Sequence, residues 1–100
     1  EEVGSFLESH LSKKFVVQFT AQWCGSCKRF EPTLQAARQK YPEVVFTQVD
    51  VDTATESAAL AGITQMPTFQ FFSGVKKVTS FVGSNESQLL QSLELLQKFQ

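Results

Sequence analysis

Phe15-Val16-Val17-Gln18-Phe19-Thr20-Ala21-Gln22-Trp23-Cys24-Gly25-Ser26-Cys27-Lys28 joins an apolar, strand-like run to the chain's only two cysteines, spaced C-x-x-C. Two thiols at that spacing lie about one helical turn apart, so they can close and open one disulfide without rearranging the chain. A helix starting at Cys24 turns its free N–H groups toward that sulfur and favours the thiolate, the nucleophile of disulfide exchange. Two blander readings stand beside this one. A structural staple gains little here, because so short a loop barely constrains the unfolded chain. Zinc usually takes four Cys or His ligands, and only His10, in a predicted helix before the first strand, remains to add to the pair. No metal is expected.

Working outward, Phe15–Thr20 is rich in β-branched and aromatic residues and nearly continuous in hydrophobicity, as a strand covered on both faces should be; Gln18 is its odd member. From Cys24 onward Phe30, Leu34, Ala37 and Tyr41 recur every three to four residues, predicting a helix to about Lys40 that Pro42 stops. Pro32 lies inside it and should kink it. Upstream, Ser5 and Glu8 form a capping-box signature for a helix to about Ser12. Downstream, Val44–Val49 predicts a second strand, and Thr53 with Glu56 caps a helix ending near Gly62. Thr68–Phe72 and Lys77–Val82, joined by a Ser73-Gly74 turn, predict an antiparallel hairpin that Gly83 breaks. Asn85 with Gln88 caps a last helix whose Leu89, Leu93 and Leu96 share one face, ending near Phe99. The order is a βαβ unit followed by a ββα unit, which folds as a three-layer α/β/α sandwich around a mixed sheet.

One hundred residues with 42% hydrophobic content and ten Phe suit a single domain, residues 1–100, with one core. Nine basic residues against ten acidic ones, scattered along the chain, argue against a nucleic-acid or membrane-surface partner. No apolar run approaches the roughly 20 residues of a membrane span. The chain starts without Met, so a processed end, an excised domain and a trimmed chain are all open.

Ala21-x-Trp23-Cys24-Gly25-Ser26-Cys27-Lys28 at a strand-to-helix junction, Met66-Pro67-Thr68-Phe69 opening the hairpin and Gly83 closing it resemble the thioredoxin family in order and spacing, nearly end to end. Phe69-Gln70-Phe71-Phe72 and Val49-Asp50-Val51-Asp52 are similar to the small eukaryotic thioredoxins. The resemblance implies a thioredoxin fold with four to five strands and a dithiol–disulfide oxidoreductase that reduces protein disulfides, with no cofactor beyond the Cys24–Cys27 disulfide. It assigns Cys24 as the exposed nucleophile and Cys27 as the buried resolving thiol. Gly25, Ser26 and Lys28 then tune the site. Trp23, Met66, Pro67 as a cis-proline and Gly83 bind the extended substrate segment. It further implies an NADPH-dependent thioredoxin reductase as electron donor, a monomer and a cytoplasmic setting.

Three departures from the family pattern bear on this. Ser26 stands where most thioredoxins carry Pro, restoring a backbone N–H and adding a hydroxyl, both able to donate toward the Cys24 sulfur. Gln18 replaces the usual buried aspartate that shuttles the proton of the resolving thiol, and an amide cannot do that near neutral pH. Gln48 is its expected neighbour, since two amides at similar depth on adjacent strands satisfy each other. Only Glu1 to Val3 are left to form the family's opening strand, without which Val44–Val49 becomes a sheet edge. A docking or regulatory module of a larger protein and a secretory-pathway oxidase or isomerase are the rival functions.

Overall fold

The computed structural model describes residues 13–99. Its strands are β1 (Lys14–Thr20), β2 (Val45–Asp50), β3 (Thr68–Ser73) and β4 (Lys76–Val82), and its helices α1 (Gly25–Arg29), α2 (Glu31–Lys40), α3 (Thr55–Leu60) and α4 (Glu86–Lys98). The strands form one mixed sheet in the order β2-β1-β3-β4. β1 runs parallel to β2 and antiparallel to β3, and β3 is antiparallel to β4. The helix predicted over Ser5–Ser12 and the strand discussed for Glu1–Val3 lie outside the described residues; among those described, β2 is a sheet edge.

Alternation along the strands explains the core. Val16 pairs with Phe71, and Phe69 with both Gln18 and Phe81, so these side chains share one face. Against that face lie Phe30, Leu34 and Ala37 of the α1–α2 segment and Leu89, Leu93 and Leu96 of α4, in one apolar cluster. Phe69 stacks on Phe81 with ring centroids 5.0 Å apart and meets Phe30 edge-on at 5.7 Å, contacts worth about 0.5–1.5 kcal/mol each beyond burial. The opposite face, bearing Phe19, Thr68 and Gln70, is buried as well, so the sheet is the middle layer of three. Phe15, Phe46, Phe72 and Phe99 are only half-buried.

Four local expectations are corrected. The long helix is two helices rather than one kinked helix: α1 ends at Arg29, Phe30 caps it, and Pro32 sits in the first turn of α2. A proline lacks the N–H that would reach Lys28, and that loss is harmless in a first turn. The Thr53–Glu56 capping box does not form; α3 begins at Thr55 behind Ala54 without a side-chain cap. The Thr53 hydroxyl instead donates to the Asp50 carbonyl at 3.3 Å. β2 spans Val45–Asp50 rather than Val44–Val49. The hairpin turn is Gly74-Val75 rather than Ser73-Gly74, with Gly74 at φ 63°, the first-position glycine that a two-residue II′ turn requires. The Asn85 cap is as predicted, its Oδ1 accepting the Gln88 N–H at 2.9 Å.

Candidate active site

The site is assembled where β1 ends. Cys24 N–H donates to the Ala21 carbonyl at 3.1 Å, turning the chain from strand into helix. Cys24 is the N-cap of α1, and its Sγ accepts the Cys27 N–H at 3.1 Å. The helix therefore aims a backbone donor at one sulfur of the pair, as its position predicts. The Ser26 hydroxyl lies 3.4 Å from the same sulfur. The backbone donor that reaches Sγ is thus that of Cys27, whereas Ser26 contributes through its side chain. The Ser26 carbonyl accepts from the Ser84 hydroxyl at 3.1 Å, fastening the redox turn to the loop after β4.

Cys24 and Cys27 are joined as a disulfide with Cα atoms 5.3 Å apart. They are 5% and 4% exposed, so the contrast between an exposed and a buried cysteine is absent in this oxidised form. Both pack in one small cluster with Ala21, against which Val51 and Met66 lie. That covering puts Met66, just before Pro67, beside the disulfide. The Met66-Pro67 peptide bond is cis. The Gly83 N–H donates to the Pro67 carbonyl at 2.8 Å, bringing the predicted flank of the groove to the proline. Met66 itself enters no backbone hydrogen bond among the described residues, so its N–H and C=O are available to an extended peptide.

Trp23 is 66% exposed beside the disulfide. Its indole N–H donates to Asp52 Oδ2 at 2.9 Å. Lys28 and Arg29 are both exposed on α1, and Arg29 reaches back over Gly25. Beneath the pair, Gln18 is 4% exposed and stands in register with Gln48. Gln48 Nε2 donates to Gln18 Oε1 at 3.2 Å, the amide pairing expected from sequence. A cavity of about 510 Å³ opens there, lined by Cys27, Gln18, Gln48, Lys28, Glu31 and Asp50 among others. Sequence reasoning missed Ser84, Asp52 and Glu31. Asp52 lies in the quoted Val49–Asp52 run, but its indole contact needs the turn after β2; nothing local marks the other two.

A disulfide whose one sulfur caps a helix, preceded in sequence by an exposed tryptophan and packed against the residue before a cis-proline, defines a redox-active dithiol centre on an α/β sandwich. The thioredoxin family model matches residues 4–95. Thioredoxin of Ophiophagus hannah is 42% identical over 83 residues, covering 83% of this chain and 79% of that protein. Ovis aries thioredoxin is 45% identical over the same shares. Thioredoxin domain-containing protein 8 of Mus musculus is 50% identical over 70 residues, 70% of this chain and 55% of that protein. Among solved structures, Fasciola hepatica thioredoxin superposes with a TM-score of 0.82 at 38% identity, covering 93% of this chain and 89% of that one. Oxidised thioredoxin of Plasmodium falciparum gives 0.76 at 35%, covering 91% and 88%.

The chain belongs to the thioredoxin family. It is a protein dithiol–disulfide oxidoreductase whose redox group is the Cys24–Cys27 disulfide itself. Among the described residues no helix is long and apolar enough to cross a membrane, and no group of three or more His, Cys, Asp or Glu could hold a metal ion.

Proposed function

We propose that the chain works as one domain in the reducing direction, with Cys24 as nucleophile and Cys27 as resolving thiol. The observation that carries this assignment is the Cys27 N–H bonded to Cys24 Sγ at 3.1 Å. A donor held against one sulfur stabilises negative charge on that sulfur alone, and the Ser26 hydroxyl at 3.4 Å adds to the bias. Cys24 thiolate attacks a substrate disulfide and forms a mixed disulfide. Cys27 then attacks Cys24 Sγ, the substrate leaves with both electrons, and the internal disulfide re-forms.

Trp23, Met66, Pro67 and Gly83 form the docking strip, with the free Met66 backbone groups pairing to an extended substrate. Gly25 and Lys28 tune the redox turn together with Ser26. An NADPH-dependent thioredoxin reductase returns the electrons, in a cytoplasmic setting, and the chain acts as a monomer; the resemblance to the small thioredoxins supports this reading. The test is trapping: Cys27→Ser should accumulate a mixed disulfide with reduced-and-reoxidised insulin chains, and Cys24→Ser should not. Trapping by Cys24→Ser alone would reverse the assignment, and equal trapping by both variants would refute it. Turnover of insulin disulfides with dithiothreitol above background excludes a purely docking module, and a potential near the reducing end of the family separates reductase from oxidase.

A further inference from the structure

Gln18 leaves the second step without its usual proton acceptor, yet the cavity beside Cys27 is not without carboxylates. Two line it, Glu31 and Asp50. Asp50 ends β2, and its Oδ1 is committed to the Asp52 N–H at 2.8 Å, closing the turn that follows. Glu31 opens α2, four residues on from Cys27. Its Oε1 is held by Arg38 Nη1 at 3.2 Å, across two turns of the helix. Oε2 accepts no hydrogen bond from any described residue. A carboxylate fixed through one oxygen, its other oxygen without a partner among the described residues, on the wall of a cavity that Cys27 also lines, is arranged to receive a proton.

We propose that Glu31 is the proton acceptor that serves Cys27 through cavity water. This rests on Cys27 being the resolving thiol. The Cys27 S–H bond breaks, and its proton passes through water to the Glu31 carboxylate. The electron pair left on sulfur attacks Cys24 Sγ, and the bond between Cys24 and the substrate sulfur breaks. That sulfur leaves with its electron pair and is protonated from solvent; the substrate is reduced by two electrons and the dithiol oxidised to a disulfide. Gln18 and Gln48, bonded to each other, floor the cavity without taking part in the transfer. The charged groups facing the cavity are Lys28 from α1, Glu31 from α2 and Asp50 from β2; β1 contributes neutral Gln18 and Thr20.

The experiment mixes the reduced full chain with an aromatic disulfide that releases one coloured thiolate per step. The first release reports attack by Cys24, the second resolution by Cys27. Glu31→Gln should leave the first phase within about twofold and slow the second about tenfold at pH 7; a positioned base supplies about 10²–10⁴-fold, and an open cavity lets bulk water compete. The deficit should close toward pH 9, where a thiol with an ordinary pKa of about 8.5 ionises unaided. Glu31→Asp, which keeps a carboxylate at the same position, should recover most of the rate. A second phase unaltered in Glu31→Gln, a rate that Glu31→Asp does not recover, or a loss seen only in Asp50→Asn would overturn the proposal. A wild-type chain that shows no second release would instead overturn the assignment of Cys27 on which it rests.

Discussion

Replacing Ser26 should make the disulfide a weaker oxidant, by an amount the geometry sets. The hydroxyl stands 3.4 Å from Cys24 Sγ, while the backbone donor to that sulfur, the Cys27 N–H at 3.1 Å, survives in any Ser26 variant. A hydrogen bond to a charged group contributes about 1.5–3 kcal/mol, which the long contact and the half-exposed serine reduce to about 1 kcal/mol. It favours the thiolate over the disulfide sulfur, so its loss destabilises the reduced form. Since about 30 mV corresponds to 1.4 kcal/mol in a two-electron couple, Ser26→Ala should move the potential about 20 mV more negative. Ser26→Pro should shift it by nearly the same amount, because the N–H it also removes is not the one that reaches the sulfur. The assay is equilibration in a series of glutathione buffers, alkylation of the free thiols, and quantification of the two forms. A Pro variant as oxidising as wild type, or more so, would show that the hydroxyl does not stabilise the thiolate, and a Pro shift more than double the Ala shift would show that the Ser26 N–H counts after all.

Gln18→Asp should speed resolution of the mixed disulfide near pH 7 in rapid-mixing reduction of insulin; an unchanged rate would count against a role for a base at this depth. The same variant should lose stability as pH rises. Burial pushes the new carboxyl above its ordinary value of about 3.9, so the folded chain keeps a proton that the unfolded chain releases. The destabilisation is then absent in acid and grows above pH 4, a trend readable in urea titrations at several pH values. Phe69→Ala removes a fully buried ring stacked on Phe81 and should cost about 3–5 kcal/mol in denaturant unfolding. Asn85→Ala loses the cap on the Gln88 N–H and should cost about 1 kcal/mol; an unmoved denaturation midpoint would show that the cap contributes nothing.

The fold was legible wherever one local pattern spoke alone. β1 announces itself by continuous β-branched and aromatic residues, α4 by its leucine stripe behind Asn85, and the sheet order follows from a βαβ unit meeting a hairpin. The errors fall where two local signals compete. Pro32 reads as a kink in one helix, whereas the backbone places it in a first turn because Phe30 caps one helix and starts the next. Thr53 could cap a helix or close the Asp50 turn, and the nearer carbonyl won. In the site, Cys24, Cys27 and the Gln18–Gln48 pair were legible because spacing and strand register fix them. Ser84, 58 residues from the Ser26 carbonyl it binds, was not, because only the closed fold brings them together.

Trp23 is the chain's single tryptophan, next in sequence to Cys24, and Asp52 holds its indole in place at 2.9 Å. A disulfide beside an excited indole accepts an electron from it and darkens its emission, whereas a dithiol does so far less. The oxidation state of this molecule should therefore be readable in its own fluorescence. Opening and closing of the Cys24–Cys27 bond should change the emission of unlabelled protein, and Asp52→Ala, by freeing the ring, should blur that optical record.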